Sequence, residues 1–295
     1  MSSNIKKLIN EELINPPRFV ADGLQYETIM GSEAYGVSSN DSDRDIYSWC
    51  IPPLEIIYPH IAGYIDGFGK KRPGFDQYSI HHIQFNNRKY DLAVYSIIKY
   101  FNLVMQNNPN MLDSLFVSDR CITYITPIGQ LVRDNRRMFL HKGCWHKFKG
   151  YAYSQMHKIK TKNPDEGSNR YKDVQKHGFD LKFSYHVVRL LGEVEQILTE
   201  SDLDLQRNRE QLKAIRNGEW TIAQIETYFL DKEKSLEDAY TKSELPYSPD
   251  EEAIKQLLLK CIEQYYGSID KYICVKDSSK QMSKDIQKVL DRYGG

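Results

Sequence analysis

The spacing of apolar and polar positions changes character near residue 126. Before that point the chain is dominated by short β-prone runs. Tyr26–Met30 (YETIM) stops at Gly31, and Asp45–Ile51 (DIYSWCI) is closed by Pro52 and Pro53. Residues 78–85 (YSIHHIQF) and 88–95 (RKYDLAVY) flank Asn86-Asn87, and asparagine tolerates the positive φ of a tight turn, so the pair predicts a hairpin. A helix is expected from Ser96 to Asn107, broken at Pro109. The opening MSSNIKKLINEEL reads as an amphipathic helix and lacks the unbroken apolar segment of a secretory signal.

Beyond residue 126 apolar positions recur three and four apart. This spacing predicts helices over 127–140, 144–162, 178–200, 221–241 and 249–266. Pro164, Gly167 and the charged run between them and Gly178 predict a loop over 163–178, and Pro246 and Pro249 mark another break. The last residues are polar and predict a loosely held helix or tail. The outline is α+β: a small mixed-sheet head over 1–126, an all-helical second domain over 127–266 and a polar tail over 267–295.

Composition changes this picture little. The chain has 295 residues, enough for two domains, and Lys plus Arg equals Asp plus Glu at 40 each. That balance gives no argument for a polyanionic partner, although a neutral total can conceal a basic groove. A mean hydropathy of -0.60 suits a soluble globular protein, and no run reaches the roughly 20 apolar residues of a membrane helix. Five cysteines (Cys50, Cys121, Cys144, Cys261, Cys274) without a C-x-x-C pair read as reduced thiols of a cytoplasmic chain. His81-His82 and Cys144-Trp145-His146 have no partner spacing for zinc.

The chemistry concentrates between Gly31 and Tyr47. On a strand, side chains alternate faces, so Asp43 and Asp45 project from one side roughly 7 Å apart. Two carboxylates so close repel unless a cation lies between them, and Mg²⁺, hard and oxygen-seeking, is the natural candidate. Asp91 on the next strand could reach the same point across the sheet. Taken singly, an N-D-S-D run is ordinary turn chemistry. Gly31-Ser32 ahead of it shifts the balance: a glycine ending a strand lets backbone approach a ligand, and Ser32 adds a hydroxyl donor for a phosphate oxygen.

G-S, then ten residues, then D-x-D, with a third aspartate in a later strand, resembles the DNA-polymerase-beta-type nucleotidyltransferases. The fuller wording, GS-x-AYG, SD-x-D, YDL-x-x-Y-S and N-P-x-x-L, with GYAYSQMHK and a K-x-x-x-H-x-x-R helix further on, is similar to the branch named after an RNA-repair pathway and often called RlaP. The likeness covers roughly residues 20–200. It implies that the head is a catalytic domain and that the helical domain closes a nucleotide cleft. It also implies that Gly31 and Ser32 hold nucleotide phosphates, and that Asp43, Asp45 and Asp91 are catalytic and bind two Mg²⁺ ions, with Mn²⁺ as a substitute. Glu33 departs from the pattern and is expected to face away from the phosphates.

The helix 178–200 carries a second constellation. Lys182, His186, Arg189 and Glu193 fall within about 60° of one another, beside an apolar stripe of Phe179, Phe183, Val187, Leu190 and Val194. Periodicity alone favours solvated charges with an Arg189–Glu193 pair at i+4. The resemblance reverses this preference and makes Lys182, Arg189 and His186 nucleotide contacts. Tyr151, Gln155 and Lys158 share a face that reads equally as cleft wall or as core packing. The basic and aromatic residues Arg136, Arg137, Lys142, Trp145, Lys147 and Lys149 read equally as a nucleic-acid track or as a solvated face. Arg170 and His177 have the R-x(4–6)-H spacing of some helical ribonucleases, but in an expected loop the pair reads as coincidence.

The leading expectation is therefore an enzyme transferring a nucleoside monophosphate from an NTP to a hydroxyl with release of pyrophosphate. RNA association in the family points to an RNA or tRNA 3′ end as acceptor. A protein side chain, in a toxin–antitoxin setting, is the second reading, and a non-catalytic nucleotide- or RNA-binding module is the third. No membrane partner is expected.

Overall fold

A computed structural model of the chain describes residues 3–38, 42–69, 74–162 and 164–267, together with 286, 287 and 291. Most of the expected tail, Cys274 and residues 39–41 of the N-D-S-D region lie outside the described residues.

The first helix, α1 (Asn4–Asn10), begins at Ser3, whose side chain accepts from the Lys6 amide, and buries Ile5 and Leu8. Its free amides at Asn4 and Ile5 donate to the buried Glu27 carboxylate at 2.7 and 3.0 Å. A short α2 (Phe19–Gly23) leads into β1 (Leu24–Ile29), a one-turn α3 (Gly31–Ala34), β2 (Arg44–Cys50) and α4 (Leu54–Ile57). The hairpin follows as expected: β3 (Gln77–Phe85) and β4 (Arg88–Ser96) turn at Asn86 and Asn87, with φ of 49° and 60°. Ser96 caps α5 (Ile97–Met105), its hydroxyl accepting from the Lys99 amide at 3.1 Å. Pro109 does more than break that helix. It occupies the first turn of α6 (Pro109–Phe116) behind an Asn108 cap, where its missing N–H costs nothing.

A fifth strand, β5 (Ile122–Ile125), completes a sheet of order β3-β4-β2-β1-β5, in which β2 and β4 run parallel and all other neighbours antiparallel. The helices that follow are α7 (Pro127–Asp134), α8 (Cys144–Thr161), α9 (Asn169–His177), α10 (Leu181–Glu200), α11 (Arg209–Arg216), α12 (Ile222–Lys242) and α13 (Glu251–Tyr266). The α+β class is as expected. Among these helices α7 packs on the sheet: a side chain on Gly129 would lie 2.4 Å from the Gln25 carbonyl oxygen of β1. The Tyr266 hydroxyl at the end of α13 bonds the Pro52 carbonyl. One apolar core runs from Ile5 to Cys261, through the sheet and the length of α10.

One reading needs correction, and one helix went unread. The expected loop 163–178 contains α9, capped by Ser168, whose hydroxyl accepts from the Tyr171 amide, and ended by Gly178 at φ 81°. Its polar surface concealed it, since no apolar stripe marks the period. The segment between 200 and 221 contains α11, whose Leu212 and Ile215 are buried three apart in a helix too short for periodicity to show. Cys50, Cys121, Cys144 and Cys261 are buried and unpaired. Among the described residues no helix is long and apolar enough to cross a membrane.

Candidate active site

Strand pairing brings the carboxylates together. In the parallel β2–β4 register Asp45 stands directly opposite Asp91, and such partners project to the same face of the sheet. Asp43, just before β2, is exposed at the mouth, and Tyr47 continues the same alternating face. The three aspartates line one cleft of about 530 Å³ together with Gly31, Ser32, Lys182 and His186. Burial, opposed by Lys182 and reinforced by Asp91 and then Asp43, pushes the Asp45 carboxyl up to about 6.

Asp91 is held by a bulge. The β3–β4 register shifts between Ile80 and Ile83, which leaves His82 at φ 60° with its N–H donating to Asp91 Oδ1 at 2.7 Å. His81 Nδ1 lies 3.6 Å from Asp91 Oδ2. The other oxygens of the trio are not closed into a cage. Among the described residues no three His, Cys, Asp or Glu side chains form a full ligand set. Octahedral Mg²⁺ needs only one or two carboxylates, with phosphate oxygens and water supplying the rest. The donors therefore fit such an ion: oxygen only, crowded with like charge, and with the Asp45 carboxyl raised to about 6 by burial and its acidic neighbours.

Gly31 is where backbone meets carboxylate. It has φ 63°, and a Cβ placed on it would lie 1.9 Å from Asp45 Oδ2. The turn behind it is tied by Val37 N to Ser32 O at 2.9 Å and Tyr35 N to Gly31 O at 3.3 Å. Glu33 faces Arg44 at 3.4 Å and lines a separate cavity with Gly36, Arg120 and Arg209.

The polar stripe of α10 divides. Lys182 is exposed and His186 half-buried, and both line the cleft. Burial first, then the charges of Arg189, Lys182, Arg216 and Arg170, hold the His186 imidazole well below its usual range, so it is neutral at physiological pH. Arg189 is not in the cleft wall. It is 3% exposed and bonds Tyr35, Asp113 and Glu193, because by its third turn α10 has passed from the cleft into the core. The i+4 pair with Glu193 is formed, at 3.0 Å.

Of the α8 face, Tyr151 lines the cleft, Gln155 is buried and Lys158 lies over the Phe183 ring. The basic segment 136–149 forms no open track. Lys142 is buried against Tyr247, Trp145 is buried, Lys149 pairs with Glu233 at 2.8 Å, Arg137 pairs with Asp202, and Arg136 lies over Phe116. Only Lys147 of the set is exposed without a charged partner among the described residues.

Sequence reasoning missed two cations and a tyrosine. Arg170, on α9, pairs with Asp180 and stacks over Phe183 at 4.1 Å, while Arg216, at the end of α11, donates to the Val37 carbonyl at 2.9 Å. Both line the cleft, as does Tyr185. The two arginines were missed as cleft residues because their helices were missed, and Ser168 and Gly178, a cap at each end, were the available signal for α9. Arg170 and His177 share a helix, yet His177 packs on Gly218 while Arg170 faces the cleft.

A sheet that sets D-x-D opposite a third aspartate, beneath a Gly-Ser turn, defines a nucleotidyltransferase of the polymerase-beta type. The chain belongs to the RNA repair pathway DNA polymerase beta family, RlaP, which matches residues 5–260. A solved nucleotidyltransferase-like protein from Exiguobacterium sibiricum 255-15 is 9% identical, covering 79% of this chain and 73% of that one with a TM-score of 0.28, too loose a superposition to bear on the site. No curated protein matches the sequence significantly.

Proposed function

We propose that this chain is a metal-dependent nucleotidyltransferase that moves a nucleoside monophosphate from an NTP to a hydroxyl and releases pyrophosphate. The register match of Asp45 with Asp91, beside Asp43 and the Gly31 backbone, carries the reading. Gly31 and Ser32 contact the phosphates. Lys182, Arg170 and Arg216 supply cationic donors from the helices across the cleft, and neutral His186 offers a hydrogen bond without charge. Asp43, Asp45 and Asp91 would hold Mg²⁺, which when bound offsets the charge of carboxylates and polyphosphate and lowers the pKa of an attacking hydroxyl. Positioning and charge placement account for most of the rate in such transfers.

The acceptor in this reading is the 3′ hydroxyl of an RNA, with tRNA as the first candidate; the family's RNA-repair association supports it. The test is incubation of the full chain with Mg²⁺, each labelled NTP in turn, total RNA and total protein. Label on RNA that disappears in Asp43→Asn and Asp45→Asn supports the reading. Label on protein transfers the acceptor to a side chain. Binding of NTP without pyrophosphate release, unchanged in both variants, leaves a binding module and sinks the enzyme.

A further inference from the structure

Behind the phosphate turn lies a buried polar cluster that the transfer reaction does not use directly. Arg189 Nη1 donates to Tyr35 Oη at 2.8 Å, to Asp113 Oδ2 and to Glu193 Oε1 at 3.0 Å. The guanidinium also stacks on the Tyr35 ring, 4.3 Å from its centroid. Tyr35 in turn donates to the same Asp113 oxygen at 2.8 Å. Tyr35, Asp113, Arg189 and Glu193 are all nearly inaccessible to water.

Such a cluster is a poor way to make a core stable. Desolvating one cation and two carboxyls consumes most of what their attraction returns, and apolar side chains of similar volume would do as well or better. What the cluster does provide is fixed geometry, because every partner has a direction. Its members come from three elements. Asp113 is on α6, Arg189 and Glu193 are on α10, and Tyr35 is the residue that closes α3. Tyr35 is also bonded through its own amide to the Gly31 carbonyl, and it borders the cleft. The cluster therefore joins the Gly31-Ser32 turn to the helix that presents Lys182 and His186, two and one turns before Arg189.

We propose that Arg189 is a positioning residue that, by clamping Tyr35, sets the Gly31-Ser32 turn at a fixed distance from the cationic face of α10, so that the two together grip the β- and γ-phosphates of an NTP. This rests on the nucleotidyltransferase reading. Loosening the clamp lets the turn drift while the remainder of the cleft persists. The penalty falls on polyphosphate and spares the base, sugar and first phosphate.

The test compares affinities of the full chain for each of the four NTPs and the matching nucleoside monophosphates, by equilibrium dialysis in Mg²⁺. Tyr35→Phe keeps the ring and removes the hydroxyl that ties Tyr35 to Arg189 and Asp113; Arg189→Lys keeps the charge and loses the forked geometry. Both are expected to weaken NTP binding about tenfold while monophosphate binding changes less than about twofold. Val188→Ala, a buried neighbour on α10 outside the cluster, controls for destabilisation and leaves the NTP-to-monophosphate ratio unchanged. An unchanged ratio in both clamp variants, with NTP bound normally, overturns the clamp alone. A wild-type chain that binds no NTP overturns the nucleotidyltransferase reading and the clamp with it.

Discussion

Gly31 and Asp45 stand so close that the smallest side chain cannot come between them: a Cβ on Gly31 would sit 1.9 Å from Asp45 Oδ2. Two demands meet at one position. The backbone must turn through φ 63°, where L-residues pay a steric penalty, and it must touch a carboxylate. Gly31→Ala is therefore expected to displace Asp45 or the turn. The strain term alone is about 1 kcal/mol, a modest loss of stability. Turnover should fall by at least about 100-fold, since an ångström-scale misplacement costs that much in a positioned site. Pyrophosphate release alongside thermal melting checks both; full activity with a normal melt would show that the contact is dispensable.

Legibility followed the strength of the local signal. Four of the five strands were readable because each is a β-prone run with a turn or proline at its end, and the Asp45–Asp91 encounter followed from two such strands being neighbours. β5 escaped, four residues long and only partly buried. Arg189 was misplaced for a different reason. Periodicity puts it in line with Lys182 and His186, but it cannot show that the helix enters the core between His186 and Arg189. Depth along a helix is a tertiary property, fixed here by Asp113 and Tyr35 arriving from other elements. The segment 136–149 stayed between two readings for the same reason: the partners of its cations, Glu233, Tyr247 and Asp202, lie far along the chain.

Asp45 makes stability depend on pH in a predictable sense. Its carboxyl titrates near 6 in the folded chain against a reference of 3.8, so between those values the folded state holds the proton and the unfolded state does not. Stability therefore falls as pH rises through that window, and the full penalty remains above it. The ceiling is about 3 kcal/mol, from about 2.2 pH units at 1.36 kcal/mol each, and screening of this half-buried group reduces it. Asp45→Asn is expected to melt higher than wild type at pH 8 in EDTA and to match it near pH 4. Mg²⁺ should raise the wild-type melt and leave that of the variant unmoved. A variant less stable at pH 8 would refute the assignment of strain to this carboxyl.

Lys182 is an exposed lysine with no ion-pair partner among the described residues, lining the same cleft as the aspartates. Removing it costs no packing. Lys182→Ala is expected to raise the KM for NTP about tenfold, with at most a small drop in melting temperature, because the ammonium interacts with phosphate charge and otherwise only with the Asp45 carboxyl. Steady-state kinetics at two salt concentrations would check it, the wild-type advantage shrinking as salt rises. Equal KM values in the two proteins would remove Lys182 from the nucleotide site.

The carboxyls around Arg189 predict an asymmetry. Burial holds Glu193 well above the usual carboxyl range despite the arginine, with Asp113 adding to the rise. Glutamine keeps an oxygen for Arg189 to donate to and leaves Asp113 as its counter-charge, so Glu193→Gln should change stability by less than about 1 kcal/mol. Arg189→Met, by contrast, leaves two buried carboxyls facing each other without a cation and should cost about 3–5 kcal/mol at pH 8. That loss shrinks toward pH 4, since protonating both groups relieves the repulsion, and the triple variant with Asp113→Asn and Glu193→Gln should recover much of it. Urea unfolding at pH 8 and pH 4 measures all four proteins. A pH-independent deficit in Arg189→Met would mean that the arginine contributes shape alone, with its charge irrelevant to how the turn and α10 are joined.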